Sequence, residues 1–467
     1  MQIKKRFPHQ TEATRFALLR GSAGFFMRMR CGKTLACLDT ITHGRLHDGP
    51  TLIIAPVSVL ASWENALLCD GVSAEKIVII RSRPGWKPER LQRLLLNPKG
   101  LFFLINFEMV KRVDAMGIRS KILPVFGLTE WETVVVDESY RIANDESRVF
   151  EYLSRFHADP KKQRRFILSG APASEHPINL ASQFIFLDGS YFGCRTVGEY
   201  RKVFWEENKY TYKWKMKNPS HFADVLSFVH SAAYTTTLED LGMGGVKLYR
   251  IDRVDITTEQ MATLKWLSVA TTYPNKKTGE TSILDPLVRC TFESRISSGV
   301  HPITGEILSD AKAVHAAEMW RDKPAQTLVL SRFISPIEQA VNAFRKVGAR
   351  VEAITGATPP AERERIRKAF QNLELDAVIA QLIPVKMGLD FSAADRIVYL
   401  SNSFSQDDRA QTEERAQHAN RKTPYEVIDI CTKDTHDEIL TNVLTVKKES
   451  AILYTKAWSK EIVNSER

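Results

Sequence analysis

The chain has 467 residues, of which 65 are Lys or Arg and 55 are Asp or Glu, so its formal net charge at pH 7 is +10. That length exceeds what one hydrophobic core normally supports, and two domains are expected. The basic excess favours a polyanionic partner, most often a phosphate backbone, although many basic proteins bind no nucleic acid.

The six cysteines are scattered along the chain, with no CxxC pair and no cluster with histidine. This pattern argues against a structural zinc site and against a disulfide framework, and it fits a reducing compartment. The basic start MQIKKRFPHQ leads into no apolar segment, and no later run is long enough to cross a bilayer. We therefore expect a cytoplasmic protein that does not associate with membranes.

Short apolar runs recur along the first half of the chain, separated by polar, helix-forming stretches: GFFMRM, TLIIAP, KIVII, GLFFLINF, TVVVDE and RFILSG. The same rhythm returns later as QTLVLSRF, RVEAITG, DAVIAQL, RIVYLSN and YEVIDICT. Continuous apolar strands that alternate with helices are typical of parallel sheets covered on both faces. The sequence therefore predicts an α/β fold with two lobes.

Between the two sets of strands, roughly from 191 to 320, the strand rhythm fades and aromatic, basic and helix-forming residues take over. This shift indicates helical insertions rather than a flexible linker. We predict a first lobe at 1–235 with a helical insertion at about 190–230. The second lobe is predicted at 236–467, with a helical insertion at about 257–320.

The first candidate site follows the first apolar run, in the segment RMRCGKTLACLDTI. Gly32, Lys33 and Thr34 fall where a strand would turn into a helix, which is the context of a phosphate-binding loop. Backbone N–H groups at such a helix start face an anion, Lys33 can reach the β- and γ-phosphates, and the Thr34 hydroxyl can ligate Mg²⁺. A chance GKT at a helix start is the alternative.

The second candidate site lies in TVVVDESYRIAND, where Asp137 and Glu138 follow a continuous apolar strand. This is the expected position of a Walker-B carboxylate pair. Asp137 would hold Mg²⁺, and Glu138 would orient or deprotonate the attacking water. A lone Asp-Glu pair can also cap a helix after a buried strand, but the order of the two motifs makes that alternative weaker.

These motifs resemble the Swi/Snf-like branch of the superfamily-two helicases, in compact versions similar to those of bacteriophage genomes. The resemblance covers nearly the whole chain, in the order FPHQTEA, RCGKT, APVSVLASWENAL, DESY, LSGAPASEHPINLASQFIFLD, QTLVLSRF, KMGLDFSAADRIVYLSNSFS and QTEERAQHANR. The segments after FPHQTEA resemble motifs I, Ia, II, III, IV, V and VI. The resemblance implies two tandem RecA-like lobes, with ATP and Mg²⁺ as cofactors.

The resemblance also implies roles for residues outside the two loops. Gln10 matches the glutamine that reads adenine, and Gly388 and Asp390 of motif V are implied at the nucleotide. In motif VI, Arg415 matches the arginine finger. The remaining implied catalytic residues of this segment are Gln411 and, assisting the finger, Arg421.

Two positions depart from the family pattern. Motif I normally has glycine where this chain has Arg30, and motif VI normally has a second arginine where this chain has His418. A side chain at residue 30 must point away from the phosphates or add a cation to them. Histidine is a poorer finger than arginine, which leaves Arg415 as the main candidate.

By resemblance, the nucleic-acid contacts are Ser58 in motif Ia, Asn106, and Ser331 and Arg332 in motif IV. We expect Trp63 of motif Ia to pack in the core, since large aromatics near strand ends usually do. The segment 200–218 interleaves aromatic and basic residues, which suits DNA binding through Lys213 and Lys215. A helical hairpin with inward aromatics and solvated lysines is the alternative.

The function that the resemblance implies is an ATP-dependent, DNA-stimulated motor that moves on DNA and remodels DNA or protein–DNA complexes. We expect a monomer that prefers duplex DNA, with branched or single-stranded DNA also open, and a recruiting protein that helps choose the target. The host cell cytoplasm is expected if a phage encodes the chain. Two alternatives stay open: a strand-separating helicase of phage replication or recombination, and a catalytically weak nucleic-acid-binding scaffold switched by ATP.

Overall fold

The structure is a computed structural model that describes residues 6–444, except for 29, 44–48, 81–94, 96, 99, 111–128, 155–162, 171, 173–176, 208–213, 219–220, 238–239, 243–244, 275–279, 383–388, 404–405, 418–420, 422 and 443. The described residues divide into two compact units, one ending at Leu241 and the other beginning at Gly242. No helix in these ranges is both long and apolar enough to cross a bilayer.

The first unit contains nine strands and seven α-helices whose two ends are both described, besides three short 3-10 helices. The strands are β1 (Ala23–Met27), β2 (Thr51–Ile54), β3 (Ile77–Ile80), β4 (Phe102–Ile105), β5 (Thr133–Asp137), β6 (Arg164–Leu168), β7 (Trp205–Glu207), β8 (Trp214–Met216) and β9 (Ala233–Thr236). The helices are α1 (Pro8–Arg20), α2 (Lys33–His43), α3 (Val57–Cys69), α4 (Arg148–Ser154), α5 (Leu180–Asp188), α6 (Val197–Phe204) and α7 (His221–Ala232).

Seven strands of the first unit form one parallel sheet in the order β3-β4-β2-β5-β6-β1-β9. Strands β1, β2, β4, β5 and β6 are buried along their whole length, as expected for strands covered on both faces. The apolar runs predicted as strands in this half are confirmed. Since β9 pairs with β1, residues up to Thr236 belong to this sheet, and the predicted boundary at residue 235 falls inside β9.

The second unit contains eight strands and six α-helices whose two ends are both described, and residues 436–442 are also helical. The strands are β10 (Lys247–Val254), β11 (Thr272–Pro274), β12 (Thr281–Ile283), β13 (Thr327–Ser331), β14 (Val351–Ile354), β15 (Ala377–Gln381), β16 (Arg396–Tyr399) and β17 (Tyr425–Thr432). The helices are α8 (Thr258–Val269), α9 (Pro286–Ser297), α10 (Ala311–Asp322), α11 (Ser335–Lys346), α12 (Pro360–Gln371) and α13 (Gln406–Ala416).

The second unit has its own parallel sheet, of six strands in the order β10-β17-β16-β13-β15-β14. Apolar residues of β13, β15, β16 and β17 form a core on each face of it, one packed with α12 and the other with α10 and α11. Two tandem RecA-like α/β lobes are therefore confirmed. In each parallel sheet the carboxyl ends of the strands lie along one edge, which is where such folds bind ligands.

The two expected insertions are not purely helical. The first contains α6, the antiparallel hairpin β7–β8 and α7, and the second contains α8, the antiparallel hairpin β11–β12 and α9. The hairpin strands carry Trp205, Trp214, Thr272, Tyr273 and Ile283. Aromatic and β-branched residues fit a pleated surface better than a helix, which explains the difference from the prediction.

Candidate functional site

The loop between β1 and α2 requires a glycine at residue 32. Gly32 has φ +80°, and a Cβ atom there would lie 1.9 Å from Nε2 of Gln10. Helix α2 begins at Lys33, directly after this glycine. The first N–H groups of a helix lack intrahelical partners and carry the positive end of its dipole, so they favour an anion. The loop therefore has the geometry of a phosphate site.

Helix α1 packs against this loop through two side chains. Gln10 donates from Nε2 to the Cys31 carbonyl at 3.2 Å and accepts from the Phe7 N–H at 3.1 Å. His9 Nε2 lies 2.8 Å from the same Cys31 carbonyl. Both side chains are buried, so the start of α1 fixes the shape of the loop. The role of Gln10 in reading adenine stays a prediction.

The structure brings the two predicted loops together. Lys33 Nζ lies 3.6 Å from Oε1 of Glu138, which directly follows β5. Glu138 has left-handed backbone angles, φ 53° and ψ 55°, which non-glycine residues rarely adopt. Strain of this kind is tolerated mainly where the surrounding structure enforces it, often at functional sites.

Asp137 is buried at the end of β5 and has a hydrogen-bond donor on each oxygen. Trp63 Nε1 donates to Oδ2 at 2.9 Å, and the Glu138 N–H donates to Oδ1 at 2.9 Å. Burial and the Glu138 charge raise the pKa of Asp137 to about 6, while Lys33 and the Trp63 hydrogen bond act in the opposite direction. The carboxylate is therefore fixed in orientation and sensitive to nearby cations.

Trp63 is completely buried, so the expectation that it packs in the core is confirmed. Its contact with Asp137 is a role that the sequence did not reveal. Trp63 and Asp137 are 74 positions apart along the chain, so their hydrogen bond produces no local sequence pattern. The only available signal was the presence of a polar N–H on a residue expected in the core, since buried indoles usually find a partner.

The side chains at this edge match the chemistry of a magnesium–triphosphate site. Mg²⁺ takes oxygen ligands, and its protein sites usually offer one or two carboxylates together with phosphate and water. Asp137 and Glu138 supply carboxylates, and Thr34, half-buried in the first turn of α2, supplies a hydroxyl. Lys33 adds a cation at the same place.

A hydrogen-bond chain connects the carboxylate loop to the motif III segment. Ser139 Oγ donates to Gln183 Oε1 at 2.7 Å, and Gln183 Nε2 donates to the carbonyls of Pro172 and Asn179. Both Ser139 and Gln183 are fully buried. The loop after β5 is thereby anchored to α5, a contact that was not predicted.

In the second unit, Gln411 and Arg415 lie one turn apart on α13 and are both half-buried. The Phe391 N–H donates to the Arg415 carbonyl at 3.1 Å, which connects α13 to the motif V segment. In that segment, Asp390 Oδ1 accepts from the Ser392 N–H at 3.0 Å and so shapes its own loop. Gly388 and His418 lie outside the described residues.

Arg421 makes many contacts within its own unit. Its guanidinium donates to the carbonyls of Ala394 at 2.7 Å and Thr423 at 3.1 Å, and pairs with Asp395 at 2.6 Å. It also covers the ring of Tyr425 at 4.9 Å. These bonds explain Arg421 as a clamp between the segments before β16 and β17, and its assisting catalytic role stays a prediction.

The predicted nucleic-acid contacts differ in their surroundings. Ser331 is fully buried, with Oγ donating to the Phe333 carbonyl at 2.9 Å and lying 3.1 Å from Ser401 Oγ, so it shapes the motif IV loop from inside. Asn106 is half-buried and accepts from the Met109 N–H at 2.7 Å. Ser58 lies in the first turn of α3, but its side chain is outside the described set.

Arg332 has a second arginine near it, Arg295 of α9. Their guanidinium carbons lie 5.5 Å and 5.7 Å from the centre of the Phe333 ring. Burial and the charge of Arg295 lower the pKa of Arg332. The sequence pattern does not indicate Arg295, because this residue lies in the insertion and far from motif IV along the chain.

The described aromatic residues of segment 200–218 pack inward. Tyr200 and Trp205 are buried in the first unit's core, and Phe204, Trp214 and Met216 pack against that core. This packing is what the alternative expected of the aromatics, but with a hairpin rather than a second helix after α6, and DNA binding through Lys213 and Lys215 stays a prediction. Lys215 is exposed on β8, and Lys213 lies outside the described residues.

Two family models match the chain, and they fall in the two units. The SNF2-related domain matches residues 25–218, and the helicase conserved C-terminal domain matches residues 310–420. The first range contains the loop at Lys33 and the carboxylates after β5, and the second contains α13. The chain belongs to the Swi/Snf-like branch of the superfamily-two helicases. Its compact bacteriophage character stays a prediction.

Known relatives of this Swi/Snf-like chain are distant. The zebrafish (Danio rerio) chromodomain-helicase-DNA-binding protein 1-like is 21% identical over 429 residues, covering 88% of this chain and 40% of the relative. The putative ATP-dependent helicase/translocase YwqA of Bacillus subtilis is 22% identical over 489 residues, covering 98% of this chain and 50% of the relative. The chain thus spans half or less of the length of these relatives.

Among solved structures, the chain is similar to the Sulfolobus solfataricus SWI2/SNF2 ATPase core in complex with dsDNA. The two share 17% identity with a TM-score of 0.42, and the match covers 98% of this chain and 96% of that one.

Proposed function

We propose that this chain is a DNA-stimulated ATPase that moves along duplex DNA and remodels DNA or protein–DNA complexes. The observation that carries the proposal is the convergence of Lys33, Glu138 and Asp137 at one edge of the first sheet, beside the glycine loop that leads into α2. Family membership adds the expectation that this site serves a motor.

In this proposal the loop at residues 31–34 binds the ATP phosphates. Lys33 faces Glu138 at 3.6 Å, so arriving phosphates compete with Glu138 for the ammonium charge. Glu138 is then less tied to Lys33 and orients or deprotonates the attacking water. Asp137 and Thr34 are the residues that would hold Mg²⁺, which supplies, when bound, charge neutralisation at the phosphates.

The second lobe contributes Arg415 as the proposed arginine finger, with Gln411 one turn before it on the same stripe of α13. A finger stabilises the charge that develops on the transferring phosphoryl group and contributes on the order of a thousandfold or more to turnover. In this proposal Arg415 acts in the ATP turnover that is coupled to movement along DNA.

Arg332 and Arg295 are the proposed DNA-phosphate contacts of the second lobe. Two guanidinium groups around one aromatic ring repel each other, and an anion between or beside them relieves that repulsion. Arginine binds phosphate through paired N–H donors. Replacing either Arg332 or Arg295 by alanine should weaken DNA binding to a similar extent for all DNA sequences. It should also reduce the slope of log K against log salt concentration by about one.

The test of the motor is ATP hydrolysis by the purified chain with single-stranded, duplex and branched DNA. Duplex DNA should stimulate the wild type most, Glu138→Gln should bind ATP without turning it over, and Arg415→Ala should lose about a thousandfold in kcat while binding ATP. Arg345→Ala, which removes an exposed arginine from α11, is the control. Hydrolysis that stays at background with every DNA would favour the ATP-switched scaffold.

A second assay separates translocation from strand separation. Displacement of the third strand from a triplex reports movement along duplex DNA, whereas a fluorescent forked duplex reports unwinding. We expect ATP-dependent triplex displacement without unwinding. Unwinding at a comparable rate would instead support the strand-separating helicase.

A further inference from the structure

A cluster of buried charges lies beneath α13, outside the sites described so far. Arg409 donates from Nη1 and Nη2 to the two carboxylate oxygens of Asp429 on β17, each at 2.7 Å. Its Nε donates to Glu413 at 2.9 Å, one turn further along α13. All three side chains are at least nine-tenths buried. Each of the three guanidinium nitrogens of Arg409 thus donates to a carboxylate.

The cluster extends to a second strand, β10, through Glu413. Lys247 Nζ lies 3.1 Å from Oε2 of Glu413, and the Tyr249 hydroxyl donates to the same oxygen at 2.7 Å. Both residues lie on β10. Burial alone would raise the pKa of Glu413, but the charges of Lys247 and Arg409 lower it to about 2. Glu413 is therefore ionised and bound from two sides.

Two neutral side chains complete the surroundings of Arg409. Asn402 donates to Asp429 Oδ1 at 2.8 Å and accepts from Arg409 Nη1 at 3.1 Å. The Tyr399 ring of β16 lies 4.5 Å from the Arg409 guanidinium carbon. The cluster thus connects α13 to β10, β16 and β17 by directed contacts.

Stability does not explain such a cluster. Buried ion pairs lose much of their Coulomb energy to desolvation, and well-packed apolar residues can replace them with little or no loss of stability. What apolar residues lack is direction, because a bidentate arginine–carboxylate pair fixes both distance and plane. The cluster therefore determines how α13 is rotated about its axis and placed along it.

The rotation of α13 decides where its other face points. Arg409 and Glu413 form one stripe of the helix, and Gln411 and Arg415 form a second stripe on roughly the opposite side. At a side-chain radius of about 5–6 Å, a rotation of about 15° displaces a tip by about 1.5 Å. A misplacement of about 1 Å can reduce a reaction rate by about a hundredfold.

We propose that Arg409 and Asp429 are positioning residues, which orient α13 so that Arg415 and Gln411 reach the transferring phosphoryl group. The inference rests on the proposed function, because it assumes that Arg415 is the finger. Arg409 and Asp429 act through the helix and touch neither ATP nor DNA. Their removal should therefore slow the chemical step without weakening nucleotide binding.

The test replaces the pair by apolar residues of similar size, in the double variant Arg409→Met/Asp429→Leu. Net charge is unchanged, and Glu413 keeps Lys247 and Tyr249. The control is Lys312→Met/Asp437→Leu, which removes another buried ion pair of the same unit, on α10 rather than α13. It also leaves backbone groups of Leu400 and Thr432 without their side-chain partners, so the disruption is comparable.

The measurements are kcat, the KM for ATP, the Kd for duplex DNA and the melting temperature. The Arg409/Asp429 double variant should lose between about tenfold and a hundredfold in kcat, with KM and Kd within about threefold of wild type. The control should keep the wild-type kcat. The charge swap Arg409→Asp/Asp429→Arg should recover part of the lost kcat, which a purely structural loss would not.

Three results overturn or redirect the proposal. A folded double variant with wild-type kcat refutes it. If the double variant does not fold, Arg409→Lys decides, since lysine keeps the charge but loses the bidentate pair, and unchanged kcat there also refutes it. If Arg415→Ala itself turns over normally, the finger and the proposed function fail, whereas an inactive Arg415→Ala beside an active double variant removes only the positioning role.

Discussion

Replacing Trp63 by Phe isolates one hydrogen bond at the candidate metal site. The change keeps an aromatic ring in a completely buried position and removes the donor that lies 2.9 Å from Asp137 Oδ2. The second donor to Asp137, the Glu138 N–H, belongs to the backbone and is retained. The variant therefore leaves the carboxylate in place with one of its two oxygens unsupported.

The magnitude follows from the charge of the acceptor. A hydrogen bond to an ionised group contributes about 1.5–3 kcal/mol, and each 1.4 kcal/mol is a factor of about ten in an equilibrium constant. Burial and the Glu138 charge already disfavour the ionised form of Asp137. Losing the Trp63 hydrogen bond should therefore weaken the binding of a cation to this carboxylate. We expect the Mg²⁺ concentration for half-maximal ATPase to rise between about tenfold and a hundredfold.

The assay is a Mg²⁺ titration of the ATPase rate, accompanied by Mn²⁺ binding followed by electron paramagnetic resonance and by thermal melting. Trp131→Phe is the matched control, since Trp131 is another buried indole of the first unit, just before the opposite end of β5. It should lower the melting temperature and leave the metal titration unchanged. A Trp63→Phe protein with equal loss of stability and wild-type metal dependence would show that Trp63 only packs.

Two further predictions concern the glycine of the phosphate loop and the buried carboxylate under α13. Gly32→Ala should abolish binding of a fluorescent ATP analogue, because its Cβ would collide with the anchored Gln10 amide, whereas Gly348→Ala, with a similar positive φ and open space, should lose only about 1–2 kcal/mol of stability. Equal ATP affinity of the two variants would contradict the proposed loop. The low pKa of Glu413, about 2 when folded, contributes stability that is fully present above the unfolded pKa near 4.5 and is lost as the pH falls towards 2. Urea unfolding of wild type and Glu413→Gln between pH 6 and 3 should therefore show a difference that shrinks as the pH falls, and parallel curves would argue against it.

Most of the strands that the sequence could predict are buried on both faces, and the predicted edge strands β3 and β14 are partly buried. Every apolar run identified as a strand lies in one of the two parallel sheets. A short, continuous apolar run is typical of a strand that helices cover on both faces. The edge strands β9 and β10 were missed. Strand β9 is only four residues long, AYTT, and β10, KLYRIDRV, alternates charged with apolar residues and is largely exposed, so neither produces a strong signal.

The candidate site was predictable in part, for a related reason. Lys33, Asp137 and Glu138 stand in motifs whose order along the chain carries information. Trp63 and Arg409 could not be assigned, because their partners are distant in sequence and their own neighbourhoods suggest something else. QDDRAQTEER has the composition of a solvated helix face, yet Arg409 and Glu413 are buried.

Each unit contains a buried carboxylate that accepts hydrogen bonds on both oxygens, Asp137 in the first and Asp429 in the second, and we expect the two to have different roles. Asp137 accepts from Trp63 of α3 and from the Glu138 N–H, and it is a proposed metal ligand, so its supporting contact should control metal affinity. Asp429 accepts from Arg409 on both oxygens and from Asn402 on Oδ1, and these donors come from α13 and its surroundings, so its supporting contacts should control the orientation of α13. The two kinds of variant should therefore differ in kind: excess Mg²⁺ should restore the rate of Trp63→Phe and should not restore that of Arg409→Met/Asp429→Leu. If excess Mg²⁺ restored the rates of both variants equally, the proposal that Trp63 supports metal binding and Arg409 orients α13 would be wrong.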